Sequence, residues 1–208
     1  MNKKSRILVV ISLLLYIFLI HKASAISSNV IISEVYYSTI GIDLDLEYVE
    51  LQILQDNVDI SGWNISTLDG DVETLPFVSN LGKYDYVSIH PGSGTSDLDA
   101  SDGSAVIYLG RGSEMLDFPG DEIVLYDDAG QLVDFIRYNG GNGDGVLGGW
   151  SAGDNGPSAD TSLESVQIHG PDEDSSDNWI SAPTSEGNPN IFEFIAADST
   201  DIWIKNGL

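Results

Sequence analysis

The chain has 208 residues, no cysteine, and a formal net charge of −25 that arises from 33 acidic and 8 basic residues. This charge excludes a basic nucleic-acid-binding face, because the chain repels phosphate, and it makes anionic lipid an equally poor partner. No disulfide is available, so the hydrophobic core must hold the fold together, and the chain is long enough to bury one.

Residues 1–25 have the layout of a secretory signal peptide. The basic segment "MNKKSR" precedes a 14-residue apolar run and the small-residue sequence "ASA" at 23–25. The run is shorter than the roughly 20 residues of a membrane-spanning helix, although an uncleaved anchor remains the alternative. We expect a secreted or extracellular product that is either released or associated with the cell surface. We expect no membrane contact once the signal is removed. Without residues 1–25 the chain keeps four basic and 33 acidic residues, a net charge of −29.

Eight short runs of alternating or β-branched residues follow, separated by turn sequences. They cover 29–37, 46–54, 63–68, 84–90, 104–110, 121–127, 131–138 and 162–169. Runs of this length and spacing predict an antiparallel β-sandwich or barrel, and "DDAG" at 127–130 predicts the tight turn of a hairpin. The expected core positions include Val49, Leu51, Ile53, Ile123, Leu125 and Phe135.

Two glutamates in the second run, Glu47 and Glu50, raise the question of catalysis. A separation of three places them on opposite faces of a strand, so they cannot form a catalytic pair with each other. We expect one at the sheet edge or surface and the other held by backbone N–H groups or a Tyr hydroxyl, which makes both structural. Trp63 begins the next alternating run and is expected in the core.

Two long connections, 139–161 and 170–190, are rich in Gly, Ser and Asp and have little apolar content. We expect Trp150 and Trp179 to pin these connections to the sandwich, because an isolated Trp gains most by lying on an apolar surface. A single domain over 26–190 is therefore predicted, followed by a tail or extra edge strand over 191–208.

Several ordered motifs resemble the lamin-tail domain of the prokaryotic, exported kind. They are "VIISEVYY" with Glu34, "EYVEL" at 47–51, "VDISGW" at 58–63, the hairpin 120–138, and the closing segments 161–165 and 176–190. The resemblance implies an immunoglobulin-like β-sandwich that acts as a binding or attachment module without a defined active site. The residues expected to have structural roles are Glu34, Glu47, Glu50, Trp63, Asp121 and Asp134.

Motifs for chemistry are weak in this chain. His90 and His169 stand at strand ends beside Pro or Gly, which predicts solvated turn residues, and their spacing does not build a zinc site. No nucleophile elbow is present. The leading hypothesis is a secreted, non-catalytic binding or structural module whose partner is an extracellular protein or glycan. One alternative is a secreted hydrolase with a carboxylate pair, since the spacing of such a pair is set by the fold. The other alternative is a calcium-stabilised adhesion module.

Calcium is the candidate metal, and no other cofactor is expected. The segment 97–103 begins like an EF-hand loop, but Asp102 occupies the position that requires Gly. The segment 172–178 is dense in the hard oxygen ligands that calcium prefers. The candidate ligands are Asp97, Asp99, Asp102, Asp172, Asp174 and Asp177, and the alternative is a solvated acidic surface.

Overall fold

The computed structural model describes residues 29–37, 46–141, 147–151, 153–159 and 162–190. The predicted signal peptide (1–25) and the predicted tail or edge strand (191–208) lie outside these described residues. Within the described ranges, helical structure is limited to one 3-10 turn, Ser176–Asn178. No helix there has the length and apolarity needed to cross a bilayer.

Ten strands in the described residues form two packed sheets, and the predicted immunoglobulin-like all-β sandwich is confirmed. The strands are β1 Val30–Tyr36, β2 Tyr48–Ile53, β3 Asn64–Thr67, β4 Val72–Thr74, β5 Tyr86–His90, β6 Ser104–Tyr108, β7 Asp121–Tyr126, β8 Leu132–Tyr138, β9 Glu164–Ile168 and β10 Trp179–Pro183. The six-stranded sheet has the order β10-β9-β1-β2-β5-β6, and the four-stranded sheet has the order β4-β3-β7-β8.

One strand pair departs from the predicted antiparallel pattern. Strands β5 and β6 pair in parallel, from Tyr86 opposite Ser104 to His90 opposite Tyr108. A parallel pair cannot be joined by a tight turn, so residues 91–103 form a crossover between these strands. This crossover contains the aspartates that resemble the start of an EF-hand loop.

The predicted core is confirmed at each of its six positions. None is more than 1% exposed: Val49, Leu51, Ile53, Ile123, Leu125 and Phe135. The first five lie on the inner faces of the two sheets, whereas Phe135 pairs with Val124 on the opposite face of the four-stranded sheet from Ile123 and Leu125. Trp150 is 1% exposed and meets the Phe135 ring edge-on, with 5.6 Å between ring centroids. Trp150 therefore pins its connection to the sandwich, as predicted.

Two strands were not predicted from the sequence. The short β4 pairs with β3, and β10 pairs with β9 from Trp179 opposite Ile168 to Pro183 opposite Glu164. The expectation that 170–190 is a connection with little core content is therefore wrong, since β10 extends the larger sheet. Trp179 is buried at the start of this strand.

Trp63 corrects a second expectation, because it is half-buried and lies beside the core instead of inside it. Strand β3 begins one residue later, and its buried positions are Ile65 and Thr67. A turn in which Gly62 has φ 78° and the Trp63 N–H donates to the Ile60 carbonyl brings the indole to the end of the sandwich.

Residues 184–190, here called the strap, cross the outer face of the six-stranded sheet. On β2 this face carries Tyr48, Glu50 and Gln52, which alternate with the core residues. Backbone and side-chain groups of the strap bond to β1 and β2, and every residue of β2 is buried. The strap therefore serves as a third layer over the centre of the larger sheet.

Candidate functional site

Glu34 lies at the centre of a buried polar network beneath the strap. Its carboxylate is 0% exposed and accepts hydrogen bonds from five donor groups. The donors are the Tyr48 hydroxyl, the Ser165 hydroxyl, the Gln167 amide, and both the N–H and the hydroxyl of Ser185. Such a set of donors compensates a buried carboxylate for its lost hydration, so Glu34 holds strands β1, β2 and β9 and the strap together.

Glu50 is the second carboxylate under the strap. The Ser33 hydroxyl donates to its Oε1 at 2.9 Å, and the Gly187 N–H donates to its Oε2 at 2.6 Å. Burial, followed by the nearby charge of Glu34, raises the pKa of Glu50 well above its usual range. A backbone N–H does hold this residue, as expected for one of the two glutamates. The expectation that one of them lies at the edge or surface is wrong, since Glu47 is also buried, at 1% exposed.

His90 contradicts its prediction as a solvated turn residue. It is 4% exposed, because its Nε2 lies 2.7 Å from Glu186 Oε1 of the strap and its ring stacks on Tyr108 with 4.7 Å between centroids. The hydrogen bond with His90 lowers the pKa of Glu186. The second histidine, His169, is half-buried after β9.

Asp121 joins three segments of backbone at one end of the four-stranded sheet. Its Oδ1 accepts from the N–H groups of Leu68 and Glu122, and its Oδ2 accepts from that of Asp117. Burial raises the pKa of Asp121 to about 6, and these backbone hydrogen bonds act in the opposite direction. The residue organises two turns, which is a structural role.

Asp134 connects the two sheets. Its Oδ2 accepts the N–H of Ile32 at the bulge in β1, and its Oδ1 accepts the N–H of Phe135. Carboxylate oxygens of Asp134, Asp172 and Asp174 all lie within 4.8 Å of one another. Burial, then the charge of Asp172, raises the pKa of Asp134 well above its usual range. These three carboxylates could hold a metal ion. Protonation of one of them would also relieve their mutual repulsion.

The candidate calcium ligands are therefore only partly brought together. Asp172 and Asp174 converge, with Asp134 as the third acid where Asp177 was expected, and Asp177 is exposed. Metal binding itself stays a prediction.

The other predicted ligand set is exposed in the β5–β6 crossover. Asp97, Asp99 and Asp102 each accept, through Oδ1, the backbone N–H two residues ahead. They are absent from the metal-ligand groups found among the described residues. Their carboxylates stabilise local turns, which accounts for aspartates at nearly alternate positions without a bound ion.

A cavity of about 420 Å³, here called the Trp63 groove, opens at one end of the sandwich. It lies where β1 begins and β2 ends in one sheet, and where β3 begins and the β7–β8 hairpin turns in the other. Three aspartates, three amide side chains and one indole supply most of the polar and aromatic wall: Asp56, Asp59, Asp127, Asn29, Gln55, Asn57 and Trp63.

The three carboxylates of the groove are held by backbone groups. The Lys83 N–H donates to Asp56 Oδ1 at 2.9 Å, and the Ser61 N–H donates to Asp59 Oδ1 at 2.8 Å. Asp127 Oδ1 accepts two N–H groups of its own hairpin turn. These bonds use one oxygen of each carboxylate, so the groove presents acidic groups of fixed position.

The sequence analysis did not identify this groove. The signal is "QDNVDISGW" at 55–63, where amides and acids precede a Trp. Its second half, the Asp127 turn, lies more than 60 residues away and joins the site only through the pairing of β3 with β7.

Comparison with known proteins gives one family match. The family model described as Lamin Tail Domain matches residues 23–140, more than half of the chain. The matched range contains β1 to β8 and the whole Trp63 groove. The resemblance of the closing segments 161–165 and 176–190 falls beyond this range and stays a prediction. No curated protein gives a significant match.

Proposed function

Because the chain belongs to the lamin tail domain family, a family of non-catalytic immunoglobulin-like modules, we propose that it is a secreted binding module. It acts at or beyond the cell surface and engages its partner through the Trp63 groove. The signal-peptide layout of residues 1–25 supports export. The groove is the single observation that carries the binding role.

The position of the groove favours recognition. Loops at the end of a rigid sandwich are a common location for binding residues, because the scaffold fixes them while leaving their side chains accessible. A concave site with an aromatic wall and a few oriented polar groups is typical of ligand binding. Trp63 and the carboxylates of Asp56, Asp59 and Asp127 supply these two components.

The environment of the buried glutamates supports a non-catalytic role. A general acid or base must come within hydrogen-bonding distance of its substrate. Glu34 and Glu50 are each 0% exposed, and both accept backbone N–H groups of the strap, from Ser185 and Gly187. The rival function, a hydrolase with a carboxylate pair, would require the strap to leave before either acid could meet a substrate.

Binding to the surface of the producing cells tests the proposal. Because the chain has no cysteine, residues 26–208 can be labelled at one cysteine added to the C-terminus. We expect saturable binding that is lost in Trp63→Ala and kept in Leu163→Ala, a control at a position that is 76% exposed. N-terminal sequencing of the secreted product is expected to begin at Ile26.

Three results would contradict the proposal. They are retention of the full chain in the cytoplasm, equal binding by Trp63→Ala, and absence of saturable binding. Cleavage of an extracellular polymer by the purified protein, lost in Glu50→Gln, would favour the hydrolase instead.

A further inference from the structure

We propose that the Trp63 groove binds a positively charged side chain, the guanidinium of Arg or the ammonium of Lys, from an exposed segment of a partner protein. This inference names the ligand class of the binding module and so rests on the proposed function. Its support comes from the charge of the groove, the orientation of its carboxylates, and the indole beside them.

The charge of the groove selects for a cation. Asp56, Asp59 and Asp127 line it, and none of its ten lining residues is basic. Lys83 gives Asp56 its backbone N–H, while its ammonium lies over the Tyr84 ring, 4.7 Å from the ring centroid. Asp56 and Asp59 are exposed and Asp127 is half-buried, so the three carboxylates are accessible to a cation and attract it together.

The carboxylates are arranged before a ligand arrives. Backbone N–H groups hold Oδ1 of Asp56, Asp59 and Asp127, so each side chain already has a defined direction. Little side-chain entropy is then lost on binding, which favours affinity. A guanidinium with its planar fork of N–H donors can bond to more than one carboxylate oxygen at once.

Trp63 provides the second half of the recognition. Trp63 lines the groove together with Asp127, Leu132 and Val133 of the β7–β8 hairpin. Indole is the aromatic group that attracts cations most strongly. Apolar groups of Val58, Leu132 and Val133 complete the groove and suit the methylene stem of Lys or Arg.

A neutral saccharide fits these observations less well. Sugar rings also stack on indole, and the amides of Asn29, Gln55 and Asn57 could serve either ligand. A neutral ring, however, would leave three neighbouring negative charges without compensation. The charge of the groove therefore favours the basic side chain.

The test compares two peptides that differ in charge but not in shape. The probes are acetyl-Gly-Arg-Gly-Arg-Gly-amide and the same peptide with citrulline, the neutral isostere of arginine. Affinity is measured by calorimetry at about 150 mM salt, where charges farther than about 8 Å contribute little. We expect the arginine peptide to bind at least tenfold more tightly and to shift the indole N–H resonance of Trp63.

Matched variants separate the groove from the general acidity of the surface. Asp56→Asn with Asp59→Asn removes two charges, yet Asn keeps the oxygen that accepts the turn N–H. Asp97→Asn with Asp102→Asn removes two charges from the β5–β6 crossover in the same way. We expect the first pair to weaken arginine-peptide binding at least tenfold and the second to change it less than twofold, with both proteins melting close to the parent.

Each contrary outcome overturns the inference. Equal binding of both peptides would show that charge is not recognised, and equal losses in both variant pairs would assign the binding to general surface charge. A neutral oligosaccharide that shifts the Trp63 resonance when the arginine peptide does not would identify a saccharide site. If the arginine peptide fails while Trp63→Ala still abolishes cell binding, the ligand class is wrong but the binding module stands. If the peptide binds as expected and cells do not, the surface function is wrong.

Discussion

Two tryptophans show how burial separates structural from accessible side chains. Trp150 is 1% exposed and contacts Phe135 in the core, whereas Trp63 is half-buried at the groove. Both follow a glycine: Gly149 with φ 90° and Gly62 with φ 78°. A positive φ turns the chain sharply in both places. The indole of Trp150 then meets Phe135 and is buried, whereas that of Trp63 faces the groove.

Substitution of each Trp by Ala measures this difference. We expect Trp150→Ala to lower the free energy of unfolding by about 3–5 kcal/mol, the usual cost of a fully buried aromatic, and Trp63→Ala by less than about 2 kcal/mol. Urea denaturation at pH 7 compares the two. Equal losses would mean that Trp63 belongs to the core after all, which would also remove it as a binding surface.

Asp121 gives stability a pH dependence. Its pKa of about 6 in the folded protein exceeds the ordinary value of 3.8, so folding takes up a proton between these values. The cost of burying the ionised Asp121 carboxylate is absent below about pH 4 and complete above about pH 6. Asp121 should therefore add up to roughly 3 kcal/mol to stability as the pH falls from 7 to 4.

Titration of the carboxyl carbon by NMR, combined with urea denaturation at pH 5 and pH 7, checks this expectation. Asp121→Asn should reduce the pH dependence and leave the part that the raised pKa values of Glu50 and Asp134 supply. Asp59→Asn should leave the pH dependence intact, because Asp59 is exposed and hydrogen bonds from Ser61 lower its pKa. Titration of Asp121 near or below pH 4 would contradict the assignment.

At the scale of elements, the strap turns an open sheet into the middle layer of the molecule. Its backbone donates to Glu34 through Ser185 and to Glu50 through Gly187, and its Glu186 meets His90. Each contact satisfies a polar group on β1, β2 or β5. The strap therefore contributes through hydrogen bonds where the opposite face contributes through apolar burial.

Truncation tests the strap. A chain that ends at Thr184 loses both Ser185 donors to Glu34 and the Gly187 donor to Glu50, and each such hydrogen bond contributes about 0.5–3 kcal/mol to stability. We expect its melting temperature to fall by ten degrees or more. A chain that ends at Asn190 keeps every strap contact described here and is the matched control. Similar melting of the two truncated chains would contradict the role of the strap.

The elements differ in how far the sequence predicts them. Alternation of apolar and polar residues identifies β2, and short runs of apolar and β-branched residues identify β1 and the β7–β8 hairpin. Strand β4 is three residues long at an edge, with Val72 59% exposed, so no apolar row marks it. The strap reads as a loop, because its partner Glu34 stands 151 positions from Ser185 and no local pattern encodes that pairing.

In the candidate site, too, local features could be predicted from the sequence and long-range contacts could not. The structural glutamates could be expected from half-buried strands, but the burial of His90 depends on Glu186 in the strap. The Trp63 groove combines the end of β2 with a turn between β7 and β8, so it exists only after the sheets have packed. The sequence therefore shows which residues could line a groove, but it does not show that they lie next to one another in the fold.

For the whole molecule, charge is the dominant property. Without residues 1–25 the chain has a net charge of −29, and its acidic side chains repel one another in the compact fold. Three of these carboxylates converge at Asp134, Asp172 and Asp174. Screening by salt should stabilise the fold even without a specific ion, since it shortens the range of this repulsion to about 10 Å at 0.1 M.

A comparison of calcium chloride with sodium chloride at equal ionic strength separates screening from binding. We expect equal increases in melting temperature. In salt-free buffer we expect Asp174→Asn to melt above the parent, because it removes one repelling charge and Asn tolerates the φ of 52° found there. Much larger stabilisation by calcium, lost in Asp174→Asn, would instead identify a calcium site at these three acids.

The strap also governs when a newly made chain can finish folding. Synthesis delivers the protein from its N-terminus, so Glu34 and Glu50 appear long before Ser185 and Gly187, which donate to them from the strap. Until then the growing chain holds two carboxylates that it cannot bury at low cost, and long-range closure is slow in any case. The buried polar network beneath the strap therefore cannot be completed before residue 187 has been made.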